Sequence, residues 1–188
     1  MRTAVMTRVA LMAAVVAVAA QISVPLPFSP VPFTMGVLAV ILAGFVLGPR
    51  YGALALVVYL LIGAVGVPVF AQFSGGLGRI VGPTGGYLVS YPFAAAIAGL
   101  AVGTFTTVGR SRGRTIAVGT AFGLLGLLLI YALGATWLAI QSNLSPGAAL
   151  AAGVLPFMPF DIVKVVLAAL LAAAVAPQLS PLTARRPA

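Results

Sequence analysis

Cysteine and histidine are absent from this 188-residue chain, and the acidic side chains are reduced to one, Asp161. Without thiols or imidazoles there can be no disulfide, no zinc cluster and no serine–histidine pair. A single acid also rules out two carboxylates sharing general acid and base work, and no metal cluster can be assembled. Lysine is equally scarce: Lys164 is the sole one, three residues from the sole acid in PFMPFDIVKVVLAALL, residues 156–171. Enzyme readings therefore fare poorly, and an ATP-driven step would need a motor supplied by another chain.

What is present in quantity is hydrocarbon. Hydrophobic residues make up 62% of the chain and charged residues 6%, with a mean hydropathy of +1.23. This composition predicts an integral membrane protein. The apolar runs are continuous and rich in Ala, Leu and Val, without the short alternation of a transmembrane barrel, so the class is all-α. At roughly 20 residues per crossing the length allows about six transmembrane helices and leaves almost nothing for a soluble domain. Residues 1–188 thus read as a single membrane-embedded domain.

Hydropathy and punctuation place the helices at about 4–22, 33–48, 51–67, 86–108, 115–140 and 157–176. The first begins after Arg2 and Arg8 and reads as a retained span, because further apolar segments follow closely. SVPLPFSPVPF, residues 23–33, has four prolines and cannot be a regular helix. GPR at 48–50 marks a tight turn, and SNLSPG at 142–147 separates the last two helices.

The formal charge of +9 is one of topology and not of nucleic-acid binding, since the arginines cluster in short loops without a basic, aromatic-interleaved face. Arg2, Arg8, Arg50, Arg110, Arg112, Arg114, Arg185 and Arg186 all fall on one side of this six-helix scheme, leaving Arg79 on the other. The positive-inside rule then puts both termini in the cytoplasm of a multi-pass cell-membrane protein. No repeat of inverted halves is visible, which weighs against the larger secondary-carrier architectures.

Asp161 and Lys164 fall about one turn below the outer boundary on one helix face, where ionisable residues usually line a cavity. Pro159 is tolerated in the first turn of that helix, and an acid there is favoured by the helix dipole. Together with Arg79 the outer half carries two cations and one anion, which a monoanionic ligand would complete. The stretch around Arg79 supplies Gly75, Gly76, Gly78, Gly82, Gly85 and Gly86, whose backbone can approach a small molecule. It lacks the G-x-x-x-x-G-K-[ST] spacing of a nucleotide loop. Phe70, Phe73, Tyr87, Tyr91, Phe33 and Trp137 are available to wall an organic ligand or to form an interfacial belt. Small residues Ala10, Ala13, Ala14 and Ala17 form a stripe on the first helix that lets another helix approach closely. On residues alone, a proton-coupled carrier and a non-transporting scaffold remain alternatives.

Residues 29–100, with GGLGRIVGPTGGYL at 75–88, resemble the core of the BioY family, the biotin-specific membrane subunits (S components) of energy-coupling-factor (ECF) transporters. FDIVK, residues 160–164, is similar to that family's acid-x-x-lysine pattern in its last helix. The resemblance implies six helices in the S-component fold, with an outer cavity closed by loops, notably that between helices one and two. It further implies biotin as the transported substrate without a cofactor, and as partners a membrane coupling subunit and two cytoplasmic ATPases. The alanine stripe of Ala10, Ala13, Ala14 and Ala17 becomes the contact for the coupling subunit, and transport becomes rotation within the bilayer. Under the same resemblance Asp161 accepts from the ureido N–H groups, and Lys164 donates to the ureido carbonyl or balances the acid, the opposite arrangement with Lys164 on the carboxylate staying open. Arg79 and the amides near Gly82 and Gly85 hold the carboxylate, Tyr87 meets the ring, and Phe33 contributes to the wall.

Overall fold

The computed structural model describes residues 3–107 and 111–183. The chain runs α1 (Thr3–Gln21), β1 (Ser23–Leu26), β2 (Ser29–Thr34), α2 (Gly36–Ala64), α3 (Leu77–Val81), α4 (Gly85–Gly99), α5 (Val102–Thr106), α6 (Arg112–Gln141), α7 (Pro146–Gly153) and α8 (Met158–Thr183). The fold is helical, and α1, α2, α6 and α8 are long and apolar enough to cross a membrane.

A straight α2 would be about 43 Å long at 1.5 Å per residue, yet it is interrupted at Gly48, where φ is 77° and ψ 178°. Pro49 follows and cannot donate to the preceding turn. The chain reverses there: a Cβ on Gly52 would stand 2.9 Å from the Gly44 Cα, although eight residues span roughly 12 Å along a straight helix. The GPR turn read from the sequence thus closes a helical hairpin. Helix α4 packs most extensively on this hairpin. Its backbone at Ala95 meets the space where a Gly44 side chain would be, and Gly99 faces the backbone of Gly48 and Pro49. Such bare glycines let helices approach to backbone contact, the packing that apolar solvent favours.

Two elements go beyond the sequence expectation. The proline-rich stretch pairs as a two-stranded antiparallel hairpin with Ser23 opposite Thr34 and Val24 opposite Phe33. Both strands are edges, so Pro25, Pro30 and Pro32 remove donors that an edge can spare. The segment after SNL is not only a connector, because α7 starts at Pro146 with Ser145 accepting a hydrogen bond from the Ala148 N–H. Serine before a first-turn proline is a favoured helix start.

The helix directions and their contacts gather the β hairpin, the 65–84 segment and the 142–157 segment at one end of the bundle. Arg50, at the α2 reversal, and Arg112 and Arg114, at the start of α6, lie at the other end, as does Arg8 near the start of α1. Arg2, Arg110, Arg185 and Arg186 lie outside the described residues.

The small-residue stripe of α1 divides between two faces. Ala13 is 4% exposed and belongs to the core, whereas Ala10 and Ala14 are exposed and Ala17 is half-buried. Ala13 is therefore spent on packing within the chain, because α1 lies against α2.

Candidate functional site

The end of the bundle that collects the loops encloses a cavity of about 70 Å³. Its wall is built from β2, the start of α2, the 70–74 turn, α4, α6, the end of α7 and the first turn of α8. The lining is mostly apolar, with a few convergent polar groups: Asp161, Tyr131, Tyr91 and Tyr87 inside, and Arg79 and Thr84 toward the exposed edge. That combination is the usual one for a small-molecule site.

Asp161 stands in the first turn of α8, as the sequence predicts, and is 4% exposed. Its carboxylate is held on both oxygens. Lys164 Nζ lies 2.6 Å from Oδ1, and the Tyr131 hydroxyl donates to Oδ2 at 2.7 Å. A carboxylate offers about four acceptor positions, so two remain for groups entering the cavity. Tyr91 also lines the cavity. Tyr87 is oriented by donating to the Gly153 carbonyl at 2.9 Å, with its ring seated on Gly134 of α6.

Of the residues singled out in the sequence, Asp161, Arg79, Tyr87, Tyr91 and Phe70 line the cavity, while Lys164, Phe33, Gly82 and Gly85 are not among its lining residues. Lys164 is 3% exposed. Besides Asp161 it donates to the Thr34 carbonyl at 2.7 Å and lies 3.8 Å from the centre of the Phe33 ring. Its charge is thus consumed by the acid, the end of β2 and a cation–π contact. Phe33, edge-on to Phe160 at 5.4 Å, serves as the platform for this lysine.

The glycine-rich stretch is tighter than a loop open to a ligand. The Gly76 N–H is bonded to the Gly63 carbonyl at 2.7 Å, and the Gly85 N–H to the Gly82 carbonyl at 2.9 Å. Gly85 itself packs against the Ile80 backbone, and Gly86 against Trp137. Trp137 donates from Nε1 to the Gly82 carbonyl at 2.9 Å, and Gln141 Nε2 donates to the Val81 carbonyl. Two of the aromatic candidates are displaced by this geometry: Trp137 is an anchor for the loop, and Phe73 points outward, 73% exposed. Phe70 does line the cavity, packed edge-on against Tyr59 at 5.4 Å.

Tyr131 was not foreseen. The signal lay in the sequence all the same, because it is the one tyrosine in the long apolar helix α6. A tyrosine hydroxyl buried in such a helix needs a partner, and the sole acid was available.

The comparisons with known proteins agree with this architecture. Residues 1–181 match the model of the BioY family. The chain is 46% identical over 164 residues to a probable biotin transporter BioY of Pyrococcus horikoshii, covering 87% of this chain and 91% of that protein. It is 43% identical over 159 residues to the biotin transporter BioY of Thermotoga maritima, covering 85% and 88%. Among solved structures, the S-component for biotin from an ECF-type ABC transporter superposes with a TM-score of 0.80 at 25% identity, covering 93% of this chain and 91% of the other. Tethered acid, enclosing loops and matched relatives point the same way: the chain belongs to the BioY family.

Proposed function

We propose that this chain is the biotin-binding membrane subunit of an ECF-type uptake system, and that the cavity beside Asp161 receives the ligand. The observation that carries the reading is the polarity of the cavity. A buried, doubly tethered carboxylate lies inside, and the Arg79 guanidinium, without an ion pair among the described residues, lies at the exposed edge. Biotin has the complementary form, with a neutral ureido ring at one end and a carboxylate at the other. The two unused acceptor positions of Asp161 suit the two ureido N–H groups, and the Tyr91 hydroxyl is the donor suited to the ureido carbonyl. Tyr87 packs against the bicyclic body, and Arg79 with Thr84 meets the carboxylate. Lys164 balances the acid from behind and takes no direct part in contacting the ring.

In this reading residues 1–188 form one membrane-embedded domain with six crossings: α1, the two halves of α2, α4 continued by α5, α6 and α8. The positively charged end faces the cytoplasm with both termini, in the cell membrane, and the cavity faces outward. Transport is energised by a coupling subunit and two cytoplasmic ATPases, and the exposed Ala10 and Ala14, with Ala17, supply the contact on α1. Gly82 and Gly85 act through the position of Arg79 and not through their amides, and Phe33 acts through Lys164.

The test is uptake of labelled biotin by cells that cannot import it. Co-expression with a coupling subunit and active ATPases is expected to restore accumulation, and an ATPase-dead module to abolish it. A pH-gradient-driven uptake by liposomes holding the chain alone would favour a proton-coupled carrier instead.

A further inference from the structure

We propose that Gln21 is a positioning residue, a strap that ties the 68–73 segment to the end of α1 and so sets how long a ligand stays in the cavity. The inference rests on the reading of that cavity as the biotin site. Gln21 is the last residue of α1. Its Nε2 lies 3.1 Å from the Val69 carbonyl, 3.2 Å from that of Phe70 and 3.5 Å from that of Pro68, with the Ala17 carbonyl of its own helix at 3.1 Å. Its Oε1 accepts from the Phe73 N–H at 2.9 Å. Carbonyls surround one end of the carboxamide and an N–H meets the other, so its orientation is set by its partners. One side chain thereby engages four residues of a segment some 50 positions away. Ser23, two residues on, adds a weaker tie by accepting from the Gln72 N–H at 3.3 Å.

The strapped turn is one that needs holding. Gln72 and Phe73 have φ of 61° and 52°, two consecutive non-glycine residues in the left-handed region, where side chains are rarely tolerated. Phe73 is exposed and contributes no packing to fix it. Among the described residues, apart from the Val69 N–H on the Val67 carbonyl, the Phe70–Ser74 bridge and the Ser74 hydroxyl on Ala71, the hydrogen bonds that hold this backbone come from Gln21 and Ser23. The same turn presents Phe70, Ala71 and Ser74 to the cavity. Phe70 is fixed independently, its ring on Gly63 and against Tyr59. Release of the strap would therefore let the turn beyond Phe70 swing away and open the wall, with Phe70 as the pivot.

The experiment uses the purified full chain in detergent, as wild type, Gln21→Ala, Gln21→Glu and Ser23→Ala. Glutamate keeps an acceptor for Phe73 but turns a second oxygen toward the carbonyls, so it should fail as alanine does. In the ligand-free protein, amide exchange at Gln72–Ser74 is expected to rise roughly tenfold in both Gln21 variants and less in Ser23→Ala, with the exchange of α4 unchanged. Dissociation of labelled biotin should accelerate by a similar factor. Unchanged exchange at Gln72–Ser74 would overturn the strap. Faster exchange with wild-type dissociation would overturn its role in holding ligand. Absence of biotin binding by the wild type would instead refute the biotin reading, while exchange would still decide whether the strap exists. If the Gln21 variants fail to fold, faster exchange in Ser23→Ala supports the strap and unchanged exchange overturns it.

Discussion

Removing the carboxylate of Asp161 should damage the protein in two separable ways. In Asp161→Ala, Lys164 remains 3% exposed and keeps only the Thr34 carbonyl at 2.7 Å and the Phe33 ring at 3.8 Å. Stranding one member of a buried ion pair costs about 3–5 kcal/mol. The surviving cation–π contact, on the order of 2 kcal/mol when desolvated, argues for the lower end, about 3 kcal/mol. Replacing the lysine as well, in Asp161→Ala/Lys164→Met, removes the stranded charge and should recover most of that loss, because apolar replacements of buried pairs are often neutral. Biotin binding should not recover, since the acceptor for the ureido group is gone. The assays are thermal unfolding in detergent and equilibrium biotin binding on the wild type, Asp161→Ala, Lys164→Met and the double variant, read as a double-mutant cycle. A double variant as unstable as the single one would refute the packing argument. A double variant that binds like wild type would refute the role of Asp161.

Further expectations follow from other contacts. Tyr131→Phe deletes the hydroxyl bonded to Asp161. Its loss should cost about 1.5–3 kcal/mol of stability, as for a hydrogen bond to a charged group, and weaken biotin at least about tenfold by freeing the carboxylate to rotate. An unchanged titration would remove Tyr131 from the site. Arg79→Ala should reduce affinity for biotin but leave that for its carboxamide derivative unaltered, and an equal loss for both ligands would exclude Arg79 as the carboxylate partner. Gly44→Ala forces a methyl group against the Ala95 backbone and should cost about 1–3 kcal/mol as overpacking. Gly103→Ala points into open space and should stay within about 0.5 kcal/mol by thermal unfolding.

How much of this was legible before folding depended on whether a residue's role is local. Asp161 and Lys164 stood out because charge is nearly absent from the chain, and three-residue spacing on a helix puts them together whatever surrounds them. Gly48–Pro49 declared its turn through backbone chemistry alone. The glycines of 75–86 did not declare theirs, since a missing Cβ serves a ligand and a neighbouring helix equally well. Only the contacts of Gly85 with Ile80 and of Gly86 with Trp137 identify the packing role. Lys164 illustrates the same limit, because its Thr34 and Phe33 partners lie about 130 residues away and turn it from the cavity toward the β hairpin. Nothing in the sequence singled out Gln21, whose hold on 68–73 arises from the way α1 meets the far end of α2.

The most direct test of the account is equilibrium binding of labelled biotin to the purified wild-type chain alone, with no coupling subunit or ATPase present. Saturable binding of one biotin per chain, competed by unlabelled biotin, is the predicted result. A folded chain that shows no saturable binding would contradict the account.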